Sequence, residues 1–208
     1  MKSPDLQHAP IATPVGSSHD RILSAAKQLF ASRGYENTST VAIARLAGTS
    51  ESQLMKHFGS KEGLLEAIFD QGWEKMSFAL RAVQELPAPW EKLLALLDLV
   101  LNAFERDPEL KELMLLEGRR VRKEGRLVLL TRGYQEFVKT IDMLLLEIRA
   151  AGQLRPDVNP QAIRSGMIGM LEGLLRDQLL ARRIDYPANY TAAEIRTLFT
   201  TVLGAMRP

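Results

Sequence analysis

Apolar positions recur every three or four residues along most of the chain, beginning at residue 22. The first stripe, Ile22, Ala25, Ala26, Leu29 and Phe30, is followed by Gly34, where a helix would end. Later stripes have the same spacing and are separated by proline and glycine breaks. Since no alternating apolar run or hairpin turn interrupts the pattern, the sequence predicts an all-α fold of about nine helices.

The second half of the chain contains the longest stripes. Seven apolar residues at helical spacing predict about six turns that end near Gly152: Leu127, Leu130, Tyr134, Phe137, Ile141, Leu144 and Ile148. Asn159 and Pro160 are typical of a helix start, and the helix they open is predicted to reach Arg183. A capping box from Thr191 to Glu194 opens a last amphipathic helix.

The chain divides into three predicted parts. Residues 1–18 contain three prolines and no apolar periodicity, which favours a disordered arm. Residues 19–65 hold several short helical patterns, and residues 66–208 hold the longer ones. A further break at Pro87 and Pro89 is a second candidate boundary.

Polar side chains crowd two short helical patterns between residues 38 and 61. Thr38 is placed to cap the first, Gly48 permits a sharp turn, and Ser50 with Gln53 predicts a capping box for the second. Leu54 would anchor the second helix to the core, so most of its other side chains point outward. Such a face suits a DNA major groove: Glu51, Ser52, Gln53, Met55, Lys56 and His57.

Charge limits the choice of partner. The net charge is only +2, so a nucleic-acid site needs a local excess, which residues 38–61 provide with Arg45, Lys56 and Lys61 against Glu51. Lys61 follows Ser60 at a predicted helix start, a position that favours a phosphate oxygen. The simpler alternative is an ordinary solvated helix face.

Composition excludes several other classes of site. The chain has no cysteine and three scattered histidines, so we expect no disulfide, no bound metal and no cofactor. No apolar run approaches the ~20 residues that cross a bilayer, and we expect a cytoplasmic protein. No nucleophile with a neighbouring base, paired buried carboxylates or phosphate-binding glycine loop is evident, which disfavours an enzyme.

Residues 21–65, RILSAAKQLFASRGYENTSTVAIARLAGTSESQLMKHFGSKEGLL, resemble the DNA-binding domain of the TetR/AcrR family of bacterial transcriptional regulators. The resemblance implies that Thr38 and Ser39 contact phosphate, that residues 50–57 form the recognition helix with Ser50 at its start, and that Lys61 anchors a phosphate. Met55 stands where the family commonly has tyrosine, and Lys56 can replace that contact electrostatically. Residues beyond Gly72 carry no family motif.

The resemblance implies that the second half binds a small, largely apolar effector. Facing stripes rich in methionine and aromatic residues indicate where a cavity could form, although core packing explains each residue equally well. Two carboxylates that interrupt apolar runs are added as possible hydrogen-bonding groups. The predicted ligand residues are Leu97, Leu101, Phe104, Met114, Glu117, Tyr134, Phe137, Met167, Met170 and Glu172. A basic stretch over residues 119–126 is typical of an exposed loop, with an anionic ligand as the alternative.

A DNA reader of this kind implies a homodimer, because a single recognition helix contacts too few base pairs for useful specificity. The last two long helices have apolar residues on more than one side, and we expect them to form the interface. The predicted interface residues are Ile168, Leu175, Leu179, Phe199, Val202 and Met206.

The sequence therefore favours a ligand-responsive DNA-binding regulator, a repressor that leaves a palindromic operator when its effector binds. The alternative is a helical small-molecule-binding protein or enzyme that carries a helix-turn-helix.

Overall fold

The computed structural model describes residues 16–121, 125 and 127–208. Over these residues the secondary structure is helical, with one isolated β-bridge between Val121 and Leu127. The helices are α1 (Ser18–Arg33), α2 (Thr40–Leu46), α3 (Glu51–Phe58), α4 (Lys61–Gln84), α5 (Pro89–Arg106), α6 (Pro108–Glu117), α7 (Arg132–Ala150), α8 (Pro160–Ile184) and α9 (Ala192–Gly204). The predicted all-α class is confirmed.

Helix starts follow local capping chemistry. Serine, threonine, asparagine or aspartate side chains accept backbone N–H groups at the starts of eight helices, and α5 instead begins with Pro89. The predicted capping box of α9 forms between Thr191 and Glu194. Ser17 caps α1, so the helix begins at the end of the region predicted as an arm, most of which lies outside the described residues.

One predicted helix start was wrong. The stripe placed Leu127 and Leu130 in the long helix, but α7 begins only at Arg132, after Thr131 caps it. The backbone N–H of Gly133 also donates to Asp70 of α4 at 3.0 Å. The hydroxyl of Thr131 and the carboxylate of Asp70 thus accept N–H groups of the first turn of α7. Leu127 and Leu130 remain in the preceding loop.

The first four helices form an N-terminal layer in which α1 packs on α2, α3 and α4. Helices α4 to α9 form the second, larger layer, where α4, α5 and α7 pack on one another and α8 packs on α6, α7 and α9. Helix α4 runs through the boundary predicted at residues 65 and 66 and contributes to both layers. No helix among the described residues is long and apolar enough to cross a membrane.

The close contact between α4 and α7 depends on a glycine. A Cβ atom at Gly133 would lie 2.4 Å from the Cβ of Trp73, which is shorter than any ordinary carbon contact. A larger residue at this position would therefore force α7 away from α4. This contact brings the start of α7 against the ring of Trp73.

Candidate DNA-binding face and internal cavity

Helices α2 and α3 form a helix-turn-helix. Ser39 caps α2 by accepting the N–H of Ala42 at 3.2 Å, and Ser50 caps α3 by accepting the N–H of Gln53 at 3.2 Å. Between the helices Gly48 has a φ of 62°, a left-handed conformation that glycine adopts at little cost. The sequence therefore sets both helix starts and the turn that joins them.

Helix α3 is held by one fully buried side chain, Leu54. The predicted outward residues Glu51, Ser52, Gln53, Met55, Lys56 and His57 are all exposed. Two of them have partners on neighbouring helices: Glu51 accepts the hydroxyl of Thr40, and the ring of His57 lies 3.1 Å from the hydroxyl of Ser18. The remaining polar side chains form an open surface.

The prediction for Thr38 was wrong. Its side chain is buried, and its hydroxyl donates to the carbonyl oxygens of Gly34 at 2.8 Å and Leu29 at 3.2 Å. A hydroxyl used in this way inside the core is not available to a DNA phosphate. The capping function predicted for Thr38 belongs to Ser39, whose side chain is exposed.

Lys61 lies at the first position of α4, where its ammonium is 4.1 Å from the centre of the Tyr35 ring. Partial burial lowers the pKa of Lys61, while the carboxylate of Glu36 opposes that effect. The guanidinium of Arg120 lies over the same ring at 4.2 Å, and burial raises the pKa of the Tyr35 hydroxyl. Lys61 is thus half-buried at the edge of the helix-turn-helix.

Arg120 belongs to the loop after α6 and pairs with Glu36 at 2.6 Å and with Glu117. We call the group of Tyr35, Glu36, Lys61, Glu117 and Arg120 the Tyr35 cluster. It joins the loop before α2, the start of α4 and the end of α6. Glu117, predicted as a ligand residue, is therefore held by Arg120 and is not part of the cavity wall.

A second link lies at the start of α6. The ammonium of Lys27 on α1 is 2.8 Å and 3.0 Å from the two carboxylate oxygens of Asp107. Asp107 also caps α6 by accepting the N–H of Leu110. Both ends of α6 therefore contact the N-terminal helices through charged side chains.

A cavity of about 80 Å³, partly open to solvent, lies among helices α4 to α9. Seven predicted ligand residues line it: Leu97, Phe104, Met114, Tyr134, Phe137, Met167 and Glu172. Leu101 is packed elsewhere in the core, and Met170 is partly buried against it. Sequence reasoning missed Trp73, although its place in the α4 stripe showed that it would be buried.

Burial raises the pKa of Tyr134, and the nearby carboxylate of Glu172 adds to this effect. The phenol is therefore protonated at neutral pH and available as a hydrogen-bond donor. Glu172 is partly exposed and lies 3.4 Å from the exposed guanidinium of Arg119. The remaining wall is almost entirely aliphatic and aromatic.

Several predicted dimer residues face inward. Leu175, Leu179 and Phe199 are buried within the protomer, so these three side chains are not open to a partner, whereas Ile168 lines the cavity but is only half-buried. Val202 and Met206 are half-buried. Helical spacing identified these residues as apolar but did not show that the α8 and α9 stripes pack against α5 and α7 of the same chain.

The outward sides of α8 and α9 carry different residues. A Cβ atom added at Gly166 or Gly169 of α8 would meet nothing within 4 Å, and Leu198 of α9 is 40% exposed. The exposed hydroxyls of Thr197 and Thr201 donate to carbonyl oxygens of their own helix at 3.0 Å and 2.9 Å, so these donors are satisfied within α9. Small and apolar groups thus occur on the open sides of both helices, beside polar ones such as Arg196.

Residues 22–68 match the family of bacterial regulatory proteins named tetR. The match covers α1, α2, α3 and the start of α4, which are the helix of the candidate DNA-binding face and the helices that support it. Residues 22–68 are therefore a TetR-family domain.

Proteins that resemble the chain over most of its length include the HTH-type transcriptional regulator UidR of Escherichia coli (strain K12). The two are 24% identical over 166 residues, which is 79% of this chain and 83% of UidR. The fold resembles that of the fatty acid degradation regulator FadR from Bacillus halodurans, with a TM-score of 0.77, 22% identity and coverage of 92% and 96% of the two chains. FadR from Bacillus subtilis, solved in complex with stearoyl-CoA, gives a TM-score of 0.75 at 20% identity and covers 89% and 97%.

Proposed function

We propose that this protein is a dimeric transcriptional repressor of the TetR family that binds a palindromic operator through the outward face of α3 and leaves it when a small molecule occupies the internal cavity. The observation that carries the DNA-binding part is the orientation of α3. One buried residue, Leu54, holds the helix, while the side chains around it remain open to a partner. Major-groove reading needs an exposed helix of this kind on a rigid support.

The exposed residues of α3 suit two kinds of DNA contact. Gln53 and Ser52 have donors and acceptors that can pair with base edges, and a glutamine amide matches the edge of adenine. Lys56 and His57 near the end of the helix, with Ser39 at the start of α2, suit phosphate oxygens. Lys61 adds a positive charge at the start of α4, where free N–H groups also favour an anion.

The effector response rests on the size and position of the cavity. A cavity of about 80 Å³ is smaller than the ~300 to 1,000 Å³ typical of small-molecule sites. An occupant must therefore move the helices that line the cavity, and α4 and α6 are among them. Since the Tyr35 cluster and the Lys27–Asp107 pair link these helices to the DNA-binding layer, such a movement would change the position of α3.

A dimer supplies the second recognition helix. The exposed sides of α8 and α9, with Gly166, Gly169 and Leu198, replace the inward residues first expected to form the interface. Small residues on α8 permit close helix approach, and an obligate interface of this type buries more than ~2,000 Å² in total. Two copies would present their α3 helices to half-sites about 34 to 36 Å apart.

Selection of bound sequences from a random duplex DNA pool tests this function. We expect a palindromic motif with half-sites one helical turn apart, bound with an affinity that decreases steeply as salt increases. Gln53→Ala should relax preference at one base pair per half-site by about 1 to 3 kcal/mol. Gln135→Ala, an exposed glutamine on α7, is the matched control and should select the wild-type motif.

A pool that shows no enriched motif would contradict the operator function. A uniform loss of affinity in Gln53→Ala, together with lower thermal stability, would show that Gln53 supports the helix and does not read a base.

A further inference from the structure

The described cavity wall carries a negative charge and no positive one. This is unexpected for an acidic ligand such as the acyl-CoA bound by one structural neighbour. Among the described residues that line the cavity, Glu172 is the one with a formal charge. An anionic group inside would meet no cation among the described lining residues and would lie close to a carboxylate of the same sign. Burial of an unpaired charge is strongly unfavourable, so the wall selects against acids.

Arg119 does not reverse this selection. Its guanidinium lies 3.4 Å from Glu172, but its side chain is 76% exposed and already pairs with that carboxylate. A ligand carboxylate would have to compete with Glu172 for the same guanidinium at the protein surface. Such exposed pairs contribute little and cannot offset the desolvation of a buried acid.

Trp73, a residue of the cavity wall, carries a hydrogen-bond donor that has no partner among the described residues. Trp73 is 6% exposed and lines the cavity, and its indole Nε1 is buried without a hydrogen bond to any described residue. An indole N–H can only donate, so the group that completes it must be an acceptor. Leaving such a donor unpaired costs free energy that a ligand oxygen would recover.

A groove on the outside of the same wall is acidic. The rings of Trp73 and Phe137, 4.8 Å apart, line both the cavity and an open groove between α4 and α7. Among the described residues of the groove are the carboxylates Asp70, Glu74 and Glu136 and one guanidinium, Arg132, which pairs with Glu136 at 2.9 Å. Three negative charges against one positive charge repel a phosphate-bearing head group on this side.

We propose that the effector is a neutral, largely apolar molecule with a hydrogen-bond-accepting oxygen, of the ester, ketone or alcohol class, and that this oxygen accepts the indole N–H of Trp73. This inference rests on the proposed effector function of the cavity. It makes free carboxylic acids and acyl-CoA thioesters poor ligands, in contrast to the stearoyl-CoA bound by the Bacillus subtilis neighbour.

A matched ligand series tests the class. The full-length protein is titrated with methyl octanoate, octanol, octanoate and octanoyl-CoA, and in parallel with methyl 3-phenylpropanoate, 3-phenylpropanol and 3-phenylpropanoate. Binding is measured by thermal shift and by tryptophan fluorescence. We expect the ester and alcohol of at least one scaffold to bind about tenfold or more tightly than the matching acid. Tighter binding of an acid or of octanoyl-CoA, or no binding by any ester or alcohol, would overturn the proposal.

The donor is tested with the two tryptophans of the chain. Trp90 also has a buried indole nitrogen without a partner among the described residues, but it does not line the cavity, which makes it a matched control. Trp73→Phe should weaken binding of the best ester about 3- to 10-fold, the usual value of one neutral hydrogen bond, and leave binding of the hydrocarbon of equal length unchanged. Trp90→Phe should leave the ester affinity as it is. Equal losses in the two variants, or equal losses for ester and hydrocarbon, would reject Trp73 as the donor.

A substitution at Glu172 tests whether charge excludes acids from the cavity. Glu172→Gln removes the carboxylate in the cavity wall and should strengthen octanoate binding about tenfold at neutral pH. An unchanged octanoate affinity would contradict exclusion by charge. Operator selection without ligand is an independent measurement, so a protein that binds its palindrome and responds to octanoyl-CoA would retain the proposed regulator function and lose only this ligand class.

Discussion

The DNA-binding face and the cavity differ in how many parts of the chain build them. The face consists of one eight-residue helix held by Leu54 and capped by Ser50. The cavity draws residues from six helices, and no short segment contains more than a few of them. A site of the first kind is formed by consecutive residues, whereas a site of the second kind depends on how helices that are distant in the sequence pack together.

Two neighbouring substitutions test whether different side chains of α3 stabilise the fold and contact DNA. Leu54→Ala should lower the free energy of unfolding by about 2 to 5 kcal/mol, because the side chain is fully buried and its loss leaves a cavity. Met55→Ala, at a position that is 42% exposed, should change stability by less than about 0.5 kcal/mol and weaken DNA binding. Urea denaturation followed by circular dichroism measures the first effect, and fluorescence anisotropy with the selected operator measures the second. Equal stability losses would mean that α3 has no free face.

In the proposed dimer, the larger layer joins two protomers so that both α3 helices can reach one operator. Leu198→Glu tests this interface. A charge on the outward side of α9 would be buried twice in a two-fold interface, and it should weaken operator binding by roughly 100-fold or more while the protomer stays folded. Leu146→Glu on α7, where the wild-type leucine is 57% exposed, is the control. Size-exclusion chromatography with light scattering should show a monomer for the first variant and a dimer for the second. A dimer in both would place the interface elsewhere.

Arg120→Ala tests the connection between the two layers. The substitution removes the guanidinium from the Tyr35 ring and from Glu36, so movement at the end of α6 should reach α3 less efficiently. We expect the change in operator affinity caused by the effector to shrink by about 0.5 to 2 kcal/mol. Operator titrations with and without ligand measure it, and Arg155→Ala, which removes an exposed pair with Asp157, should leave it unchanged. An undiminished response in Arg120→Ala would exclude the Tyr35 cluster as the connection.

Lys61→Ala should have the smallest effect. Loss of one phosphate contact should weaken binding to all DNA sequences alike and reduce the magnitude of the salt slope by ~1. Because Lys61 is half-buried on Tyr35, the free energy of unfolding of the Lys61→Ala variant is measured in parallel. Lys139→Ala, an exposed lysine on α7, is the matched control. A slope equal to that of the wild type would show that Lys61 only packs on Tyr35.

The sequence predicted features that depend on neighbouring residues better than features that depend on packing between distant helices. The caps at Ser50 and Thr191 and the turn at Gly48 depend on residues within four positions, and each was identified from the sequence. The apolar character of Leu175 and Phe199 was also evident. Their neighbours were not, because periodicity gives the direction of a side chain relative to its own helix and not the helix it meets.

Thr38 and the start of α7 illustrate two other limits. The resemblance to TetR/AcrR proteins assigned Thr38 to phosphate, but carbonyl groups of α1 and the following turn supply acceptors for its hydroxyl inside the core. The start of α7 is fixed partly by Asp70, which lies 63 residues away in the chain from the N–H that it accepts. Contacts of this kind appear only when the fold brings the segments together.

The central claim is that two copies of this chain place two α3 helices on one operator. Light scattering of the protein at micromolar concentration, alone and with the selected palindrome, measures this most directly. We predict a dimer of the 23.3 kDa chain in solution and two chains on each operator duplex. A single 23.3 kDa chain that binds the palindrome with full affinity would contradict the account.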